Sequence, residues 1–576
     1  MSTLPSTSLY DAYRRADGAL PRVAHAWNLY GVGIERMGHD GSTELVELPA
    51  PRPDQLLIRV DAVGLCFSDV KLLRLGGDHP KLYGRDLERE PGRLGHETSV
   101  TVLAVGSDLA GRFRPGERLA IQPDIYVDGR STAYGYTIQG GLTEAQLIGP
   151  EVLAADDGAY VVPVDPSLGY AETALTEPWA CVEAAYTQRR RLEPLAGGRL
   201  LVVAGPSAGG LHEEFGDVLS GAGSVTLVGA DDELSKSISA SAGEVPTETA
   251  PSLAVAAASG PFDDIVMLQP RHAADVSAAA DLLAFRGVMN IVGDAPLDGP
   301  VEIDVGRIHY HYTAYVGTRG PNVAAAYGEA RNRAELRAGG VTVVVGAGGP
   351  MGQMHVERAL TLPGPPRLVL AVDLDAERLA AAEVKLDPVA DAHGRALRFA
   401  TLGREPDALQ ALVRRETGGQ GADDVIVTAP SAAAVQAAAE AMAPDGMLVL
   451  FAGVPVGTRV PIDLSRVFLD GAQYTGTSGS RILDQATVID KTLDGLLEPR
   501  RALAAVGGLD AAPEALQALI DGRFPGKIVI FPALHGLPLT GLPELVRSEP
   551  EVAAALGPDG TWTTAAEARL FERHLG

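Results

Sequence analysis

The 576-residue chain has two cysteines, Cys66 and Cys181. Cys66 lies in "VGLCFSDVK" (63–71), with Ser68 and Lys71 close behind it. Thirty residues on, "GRLGHETSV" brings His96 and Glu97, and "TEPWAC" (176–181) brings Glu177. A thiolate, an imidazole and a carboxylate from separate segments form a zinc shell that leaves one position for water or substrate. Each residue also has a plainer reading. A cysteine in an apolar strand packs, a lone histidine is a satisfied polar group, and an acid opening a helix answers the helix dipole.

A second chemistry is written in "VTVVVGAGGPMGQMHVERAL" (341–360): an apolar strand, a glycine-rich turn and a helix. Gly346, Gly348 and Gly352 are spaced as G-x-G-x-x-x-G, one residue longer than the usual dinucleotide fingerprint. Such a turn brings backbone close to a pyrophosphate and aims a helix N-terminus at its charge. Gly349, Pro350 and Met351 complete the loop, Asp373 ends the next strand where a ribose-binding acid belongs, and Arg378 follows it. Asp373 would repel a 2′-phosphate, so NAD is expected over NADP. The plainer reading is a tight turn in a structural α/β domain.

These residues need elements to hold them. Residues 22–187 read as short β-branched strands broken by Gly, Pro and Asp, followed by a helical stretch, a barrel-like pattern. Further on, apolar strands alternate with Ala-rich helices in a βαβ pattern that predicts a doubly wound parallel sheet. That region repeats. "VEAAYTQRRRLEPLAGGRLLVVAG" (182–205) matches 323–346 at an offset of 141, and "VEIDVGRIHYHYTAYVGTRG" (301–320) matches 460–479 at an offset of 159. Two tandem copies are expected, copy A over 197–330 and copy B over 338–480, with 481–576 returning to the first domain and ending in helices. Copy A has glycines at 205, 209 and 210 and an acid at Asp231, which do not make the fingerprint. It is a degenerate structural copy, a second nucleotide site, or a wall of the substrate site.

Composition narrows the function. The net charge is −26, which argues against nucleic-acid or anionic-membrane partners. No apolar run is long enough to span a membrane, and the first twenty residues lack a signal peptide's apolar core. Two cysteines cannot form a disulfide framework, so a reducing, cytoplasmic setting is expected.

Taken in order, C-x-S-D, G-H-E, "GGLTEAQLI" (140–148), E-P and a nucleotide-type domain resemble the zinc-dependent medium-chain dehydrogenases/reductases. The sorbitol (polyol) branch is nearest, because Glu177 stands where the other branch has cysteine, and several segments also resemble L-sorbose-1-phosphate reductases. The resemblance implies a GroES-like β-barrel catalytic domain and hydride transfer between NAD and a polyol, sugar or sugar phosphate. It implies one catalytic zinc on Cys66, His96, Glu97 and Glu177. Catalytic roles then fall on Ser68 as proton relay, Lys71 where relatives place the relay's terminal group, and Glu97 at the metal, while Asp69 supports the metal shell and Arg481 contacts substrate. The four-cysteine structural-zinc lobe of many relatives is absent, so no structural zinc is expected. Relatives form dimers or tetramers, so homo-oligomers are an expected form. A basic stretch with Lys71, Arg74, Lys81 and Arg85 would suit a phosphate, or is a solvated loop neutralised by its own acids. Alternatives are a zinc-free NAD(P)H reductase on the same scaffold, and a non-catalytic nucleotide-binding or scaffold protein.

Overall fold

The computed structural model describes residues 8–208 and 214–575. It divides into two compact units, one made of Met1–Ala184 with Gly479–Gly576, the other of Ala185–Ser478. Gly209 and Gly210 of copy A lie outside the described residues.

The first unit is built on an eight-stranded sheet. Its central strand, Leu56–Gly64, is buried along nearly its whole length. It pairs antiparallel with strands Glu97–Val105, Ala145–Ile148 and Lys527–Phe531. Leu56, Ile58, Val60, Val100, Leu119 and Ile528 fill the core between these strands. The β-branched runs suit a sheet buried on both faces, and the glycines and prolines between them turn the chain back. Helix Thr176–Ala184 packs against helix Ile482–Leu493, where Lys491 pairs with Glu183 at 2.8 Å. At the C-terminal end, Thr563 caps helix Thr564–His574 by accepting from the Ala566 amide. That helix docks through the buried Glu567, whose carboxylate accepts the backbone N–H groups of Tyr170 (2.6 Å) and Ala171 (2.9 Å).

The second unit holds two six-stranded parallel sheets. Counting strands within each copy and setting aside a short extra strand, both have the order 3-2-1-4-5-6 of a doubly wound dinucleotide-binding fold. First strands Arg199–Ala204 and Val341–Val345 occupy the centres of the two sheets. The same staple anchors each copy: Arg191 and the Leu195 amide meet Asp264, and Arg333 and the Arg337 amide meet Asp424. At this staple the copies stand 142 residues apart on one side, one more than the 141 read from the flanking sequence.

The copies differ at their first crossover. In copy B, helix Pro350–Thr361 joins the first two strands. In copy A, the described residues between Arg199–Ala204 and Ser224–Val228 include no α-helix. That stretch is dense in glycine, with Gly205, Gly216, Gly221 and Gly223, and glycine opposes helix. Among the described residues, no helix is long and apolar enough to cross a membrane.

Candidate active site

The central strand Leu56–Gly64 ends two residues before Cys66, which sits at the N-cap of helix Phe67–Leu75. Asp69, in that helix's first turn, accepts the Cys66 amide at 2.9 Å with one oxygen and the Gly95 amide at 3.0 Å with the other. The second oxygen lies 3.5 Å from His96 Nδ1. One buried carboxylate thus fixes the cysteine's backbone and faces the imidazole, leaving the far nitrogen as a donor. Burial would raise the Asp69 carboxyl, but His96 and these amides hold it below its usual value.

His96 precedes strand Glu97–Val105, which Glu97 opens. One potential ligand atom from each of Cys66, His96 and Glu97 lies within 4.8 Å of the others. Glu97 Oε1 is held by the Lys527 ammonium, which also donates to the Leu65 carbonyl at 3.0 Å. Glu97 Oε2 is buried with no hydrogen-bond partner. It points at Gly64, where a Cβ would lie 2.1 Å away, so a side chain at position 64 would occupy the carboxylate's space.

Burial raises the Cys66 thiol, but the Lys527 charge and His96 outweigh it and bring the thiol down to about 6. Burial pushes Glu97 up to about 8 against the pull of Lys527. A thiolate-forming cysteine, an imidazole and an unsatisfied buried carboxylate oxygen fit a divalent cation such as zinc.

Glu177 is not one of the three clustered residues, but its carboxyl senses His96 and Glu97. Burial raises it to about 7. The Cys181 thiol donates to it at 3.6 Å and is itself held well above its usual value by burial and Glu177, which suits a packing cysteine. Ser68 lies in the first turn of helix Phe67–Leu75, and the Tyr136 ring stands 6.0 Å from that of His96. Lys71 is exposed on helix Phe67–Leu75, and its charge helps depress His79 to about 4, after burial and Lys81.

Within the basic stretch, Lys81 and Arg85 have acidic neighbours. Lys81 pairs with Asp124 at 3.0 Å, and Arg85 lies 3.7 Å from Glu90 and donates to the Thr137 carbonyl. Asp124 also accepts the Ser480 amide, and Arg481 begins helix Ile482–Leu493. Lys527 and Tyr136 are the residues that sequence reasoning left without a role. Both lie in segments that carry the resemblance, "FPGKIVIFPAL" and "YGYTIQGG", but no spacing ties them to Cys66.

In the second unit, copy B folds its glycine segment as a cradle. Gly346 has φ +90°, in the left-handed region that favours glycine. A Cβ on Gly352 would meet the Gly346 carbonyl at 2.3 Å, so the third glycine lets helix and strand approach. Gly349 caps helix Pro350–Thr361, Pro350 and Met351 form its first turn, and Gln353 donates to the Gly348 carbonyl at 3.0 Å. Asp373 ends strand Leu368–Asp373 and accepts the Gly348 amide at 2.8 Å. Arg378 lies beside the turn, its Cβ 2.9 Å from where a Gly348 Cβ would be. In copy A the strand register puts Gly229 where copy B has Asp373, while Asp231 stands where Asp375 does and, like it, caps a helix, accepting the Leu234 amide at 2.8 Å.

The alcohol dehydrogenase GroES-like domain model matches residues 52–183. Mannitol-1-phosphate 5-dehydrogenase of Aliivibrio fischeri is 23% identical over 91% of this chain and 93% of its own. L-sorbose 1-phosphate reductase of Klebsiella pneumoniae is 28% identical over 48% of this chain and 72% of its own. Among solved structures, an alcohol dehydrogenase of Thermotoga maritima shares the fold, with a TM-score of 0.52 at 15% identity over 88% of this chain and 99% of that one.

Proposed function

We propose that this zinc-type, alcohol-dehydrogenase-like oxidoreductase moves a hydride between NAD(H) and a secondary alcohol or ketone of a polyol, sugar or sugar phosphate. The observation that carries the reading is the Cys66, His96 and Glu97 cluster, with its unpartnered Glu97 oxygen. The sugar-phosphate preference draws support from the two phosphorylated-polyol and phosphorylated-sugar enzymes among the relatives. A nicotinamide cofactor fits copy B, whose cradle meets what a dinucleotide pyrophosphate needs and whose Asp373 disfavours a 2′-phosphate.

When bound, zinc would supply Lewis acidity toward the substrate oxygen, and the nicotinamide would carry the hydride. Cys66, His96 and Glu97 Oε2 would hold the metal, one ion per chain. Asp69 orients His96, and Lys527 keeps Glu97's other oxygen occupied. Glu177, raised to about 7, would serve as a further ligand or hold a proton beside the site. Ser68 would accept the substrate hydroxyl's proton as it gives up its own toward solvent, with Lys71, exposed on the same helix, at the outer end of that relay. Gly346, Gly348, Gly349, Pro350, Met351 and Gly352 would cradle the pyrophosphate. Asp373 would bind the ribose, with Arg378 beside it.

A zinc-free reductase or a scaffold protein would not need a buried thiolate, imidazole and unsatisfied carboxylate together. The test is metal content by plasma mass spectrometry on protein purified without chelators, joined to a screen of polyols and their phosphates with NAD+. One zinc per chain and turnover that fails in Cys66→Ser support the reading. Protein that takes up no zinc sinks the metal role, and a metal-loaded enzyme inert toward every alcohol and ketone sinks the substrate class.

A further inference from the structure

Copies A and B pair with each other inside the second unit. Strand Val301–Asp304 runs antiparallel to strand Arg459–Ile462, with Val301 opposite Ile462, Glu302 opposite Pro461 and Ile303 opposite Val460. These strands are the same segment of the two copies, "VEID" and "VPID", 159 residues apart. Val301 therefore meets the counterpart of Ile303, Ile303 meets the counterpart of Val301, and Glu302 meets its own counterpart. A contact in which each patch meets itself is the mark of a two-fold axis. Here the axis passes between Glu302 and Pro461.

The reciprocity extends beyond the strands. Helix Val305–Tyr310 of copy A lies against strand Gln473–Gly476 of copy B, and helix Ser465–Leu469 of copy B lies against strand Ala314–Thr318 of copy A. Gly317 leaves room for Phe468, whose Cβ would lie 2.8 Å from an added Cβ. Gly476 does the same for His309, whose Cα would lie 3.3 Å away. Gly317 and Gly476 are counterparts, as are His309 and Phe468. Behind the contact, Arg307 donates to the Ala280 and Leu283 carbonyls and Arg466 to those of Ala439 and Met442, the same bonds at the same offset. Ile308 and Tyr315 share one continuous apolar core with Val467 and Tyr474. The sixth strand of each sheet, otherwise an open edge, is thereby covered by the other copy.

Copy A has also lost what a dinucleotide needs. Its described first crossover has no helix to meet a pyrophosphate, and Gly229 stands where copy B has the acid Asp373. We propose that copy A is a built-in partner: against copy B it takes the place that a second copy of that domain would take in a two-fold dimer, and it binds no dinucleotide. The pairing stands on geometry alone, and the binding half rests on the assignment of NAD to copy B.

The test uses the full chain. Glu302→Cys with Pro461→Cys places two thiols on facing positions of a narrow antiparallel pair, within reach of a disulfide. Oxidation should give a cross-linked product of one-chain mass at every protein concentration, absent from either single variant. Cross-links between two chains, or none, would overturn the pairing. Equilibrium dialysis with NAD+ should find one equivalent per chain, weakened about 10–100-fold in Asp373→Ala and unchanged in Asp231→Ser, which keeps the helix cap. Two equivalents, or a loss in Asp231→Ser, would overturn the silent role of copy A. Absence of any bound NAD+ would overturn the cofactor assignment to copy B instead, and the cross-link alone would then decide the pairing.

Discussion

Lys527 and Glu97 lie 430 residues apart and form a fully buried ion pair beside the candidate metal ligands. The pair does two things at once. It pulls the carboxyl down against the burial that raises it, and it occupies one oxygen while the other stays buried with no hydrogen-bond partner.

Removing the cation leaves a buried acid without its partner. Lys527→Met is expected to lower folding stability by about 3–5 kcal/mol, since breaking one side of a buried pair strands the other. Its Cys66 thiol should also titrate higher, because Lys527 is the strongest influence pulling it down. Urea unfolding and thiol alkylation rates against pH measure the two effects. Unchanged stability together with an unchanged alkylation profile would mean that the pair is inert.

Gly64→Ala puts a methyl group into the space of Glu97 Oε2. The carboxylate must swing away, and zinc affinity should fall by about 10–100-fold, as it does when the groups that orient a ligand are removed. Competition with a chelator of known affinity gives the number. Wild-type affinity in a folded Gly64→Ala protein would exclude Glu97 Oε2 as a ligand.

Asp69→Asn keeps the shape of the residue that joins Cys66, Gly95 and His96 but removes its charge. The imidazole loses its charged partner, and a similar drop of about 10–100-fold in metal affinity is expected. Circular dichroism should stay unchanged, which separates this effect from unfolding.

Asp373→Ala should raise the KM for NAD+ by about 10–100-fold, the worth of hydrogen bonds to a charged group. The ratio of NADP+ to NAD+ use should rise as the repulsion of a 2′-phosphate disappears. Steady-state kinetics with both cofactors decides it, and an unchanged preference would remove Asp373 from the ribose site.

Glu172 carries a pH signature. Burial raises its carboxyl to about 7, although Arg500 stands 3.4 Å away and pulls it down. The folded chain therefore holds a proton that the unfolded chain releases from about pH 4.3 upward. Its favourable contribution is whole below that value and is lost as pH rises through 7. Glu172→Gln mimics the protonated form. It should match wild type near pH 4 and exceed it by about 2–4 kcal/mol at pH 8. Paired thermal melts across that range test the sign.

The sequence makes some of this architecture legible and hides the rest for physical reasons. Local signals travel well. The strand–glycine–helix order around Gly346 and the acid ending the next strand could be read because they lie in one contiguous βαβ segment. The duplication could be read because both copies keep their order. Lys527 and Tyr136 could not be assigned, because each reaches the site through strand pairing or loop packing that has no sequence period. Lys81 and Arg85 suggested a phosphate-binding face, while the fold gives Lys81 to Asp124, 43 residues on. Among the described residues the first crossover of copy A holds no α-helix, and Gly205, Pro206, Gly216, Gly221 and Gly223 made that legible, though a strand-like run on either side hides it.

The two-part build of the first unit bears on how the chain is made. Strand Lys527–Phe531 closes on strand Leu56–Gly64, and the bond from Lys527 to Leu65 spans 462 residues. On a ribosome, the amino-terminal strands emerge long before the segment that completes their sheet. The paired copies between them have all their partners much sooner, and domains fold largely as they emerge. The thiol of Cys66 and the carboxylate of Glu97 therefore wait without their lysine until nearly the whole chain has been synthesised. A premature stop just before Lys527 would spare both nucleotide-type copies and leave the unit that carries Cys66, His96 and Glu97 unfinished.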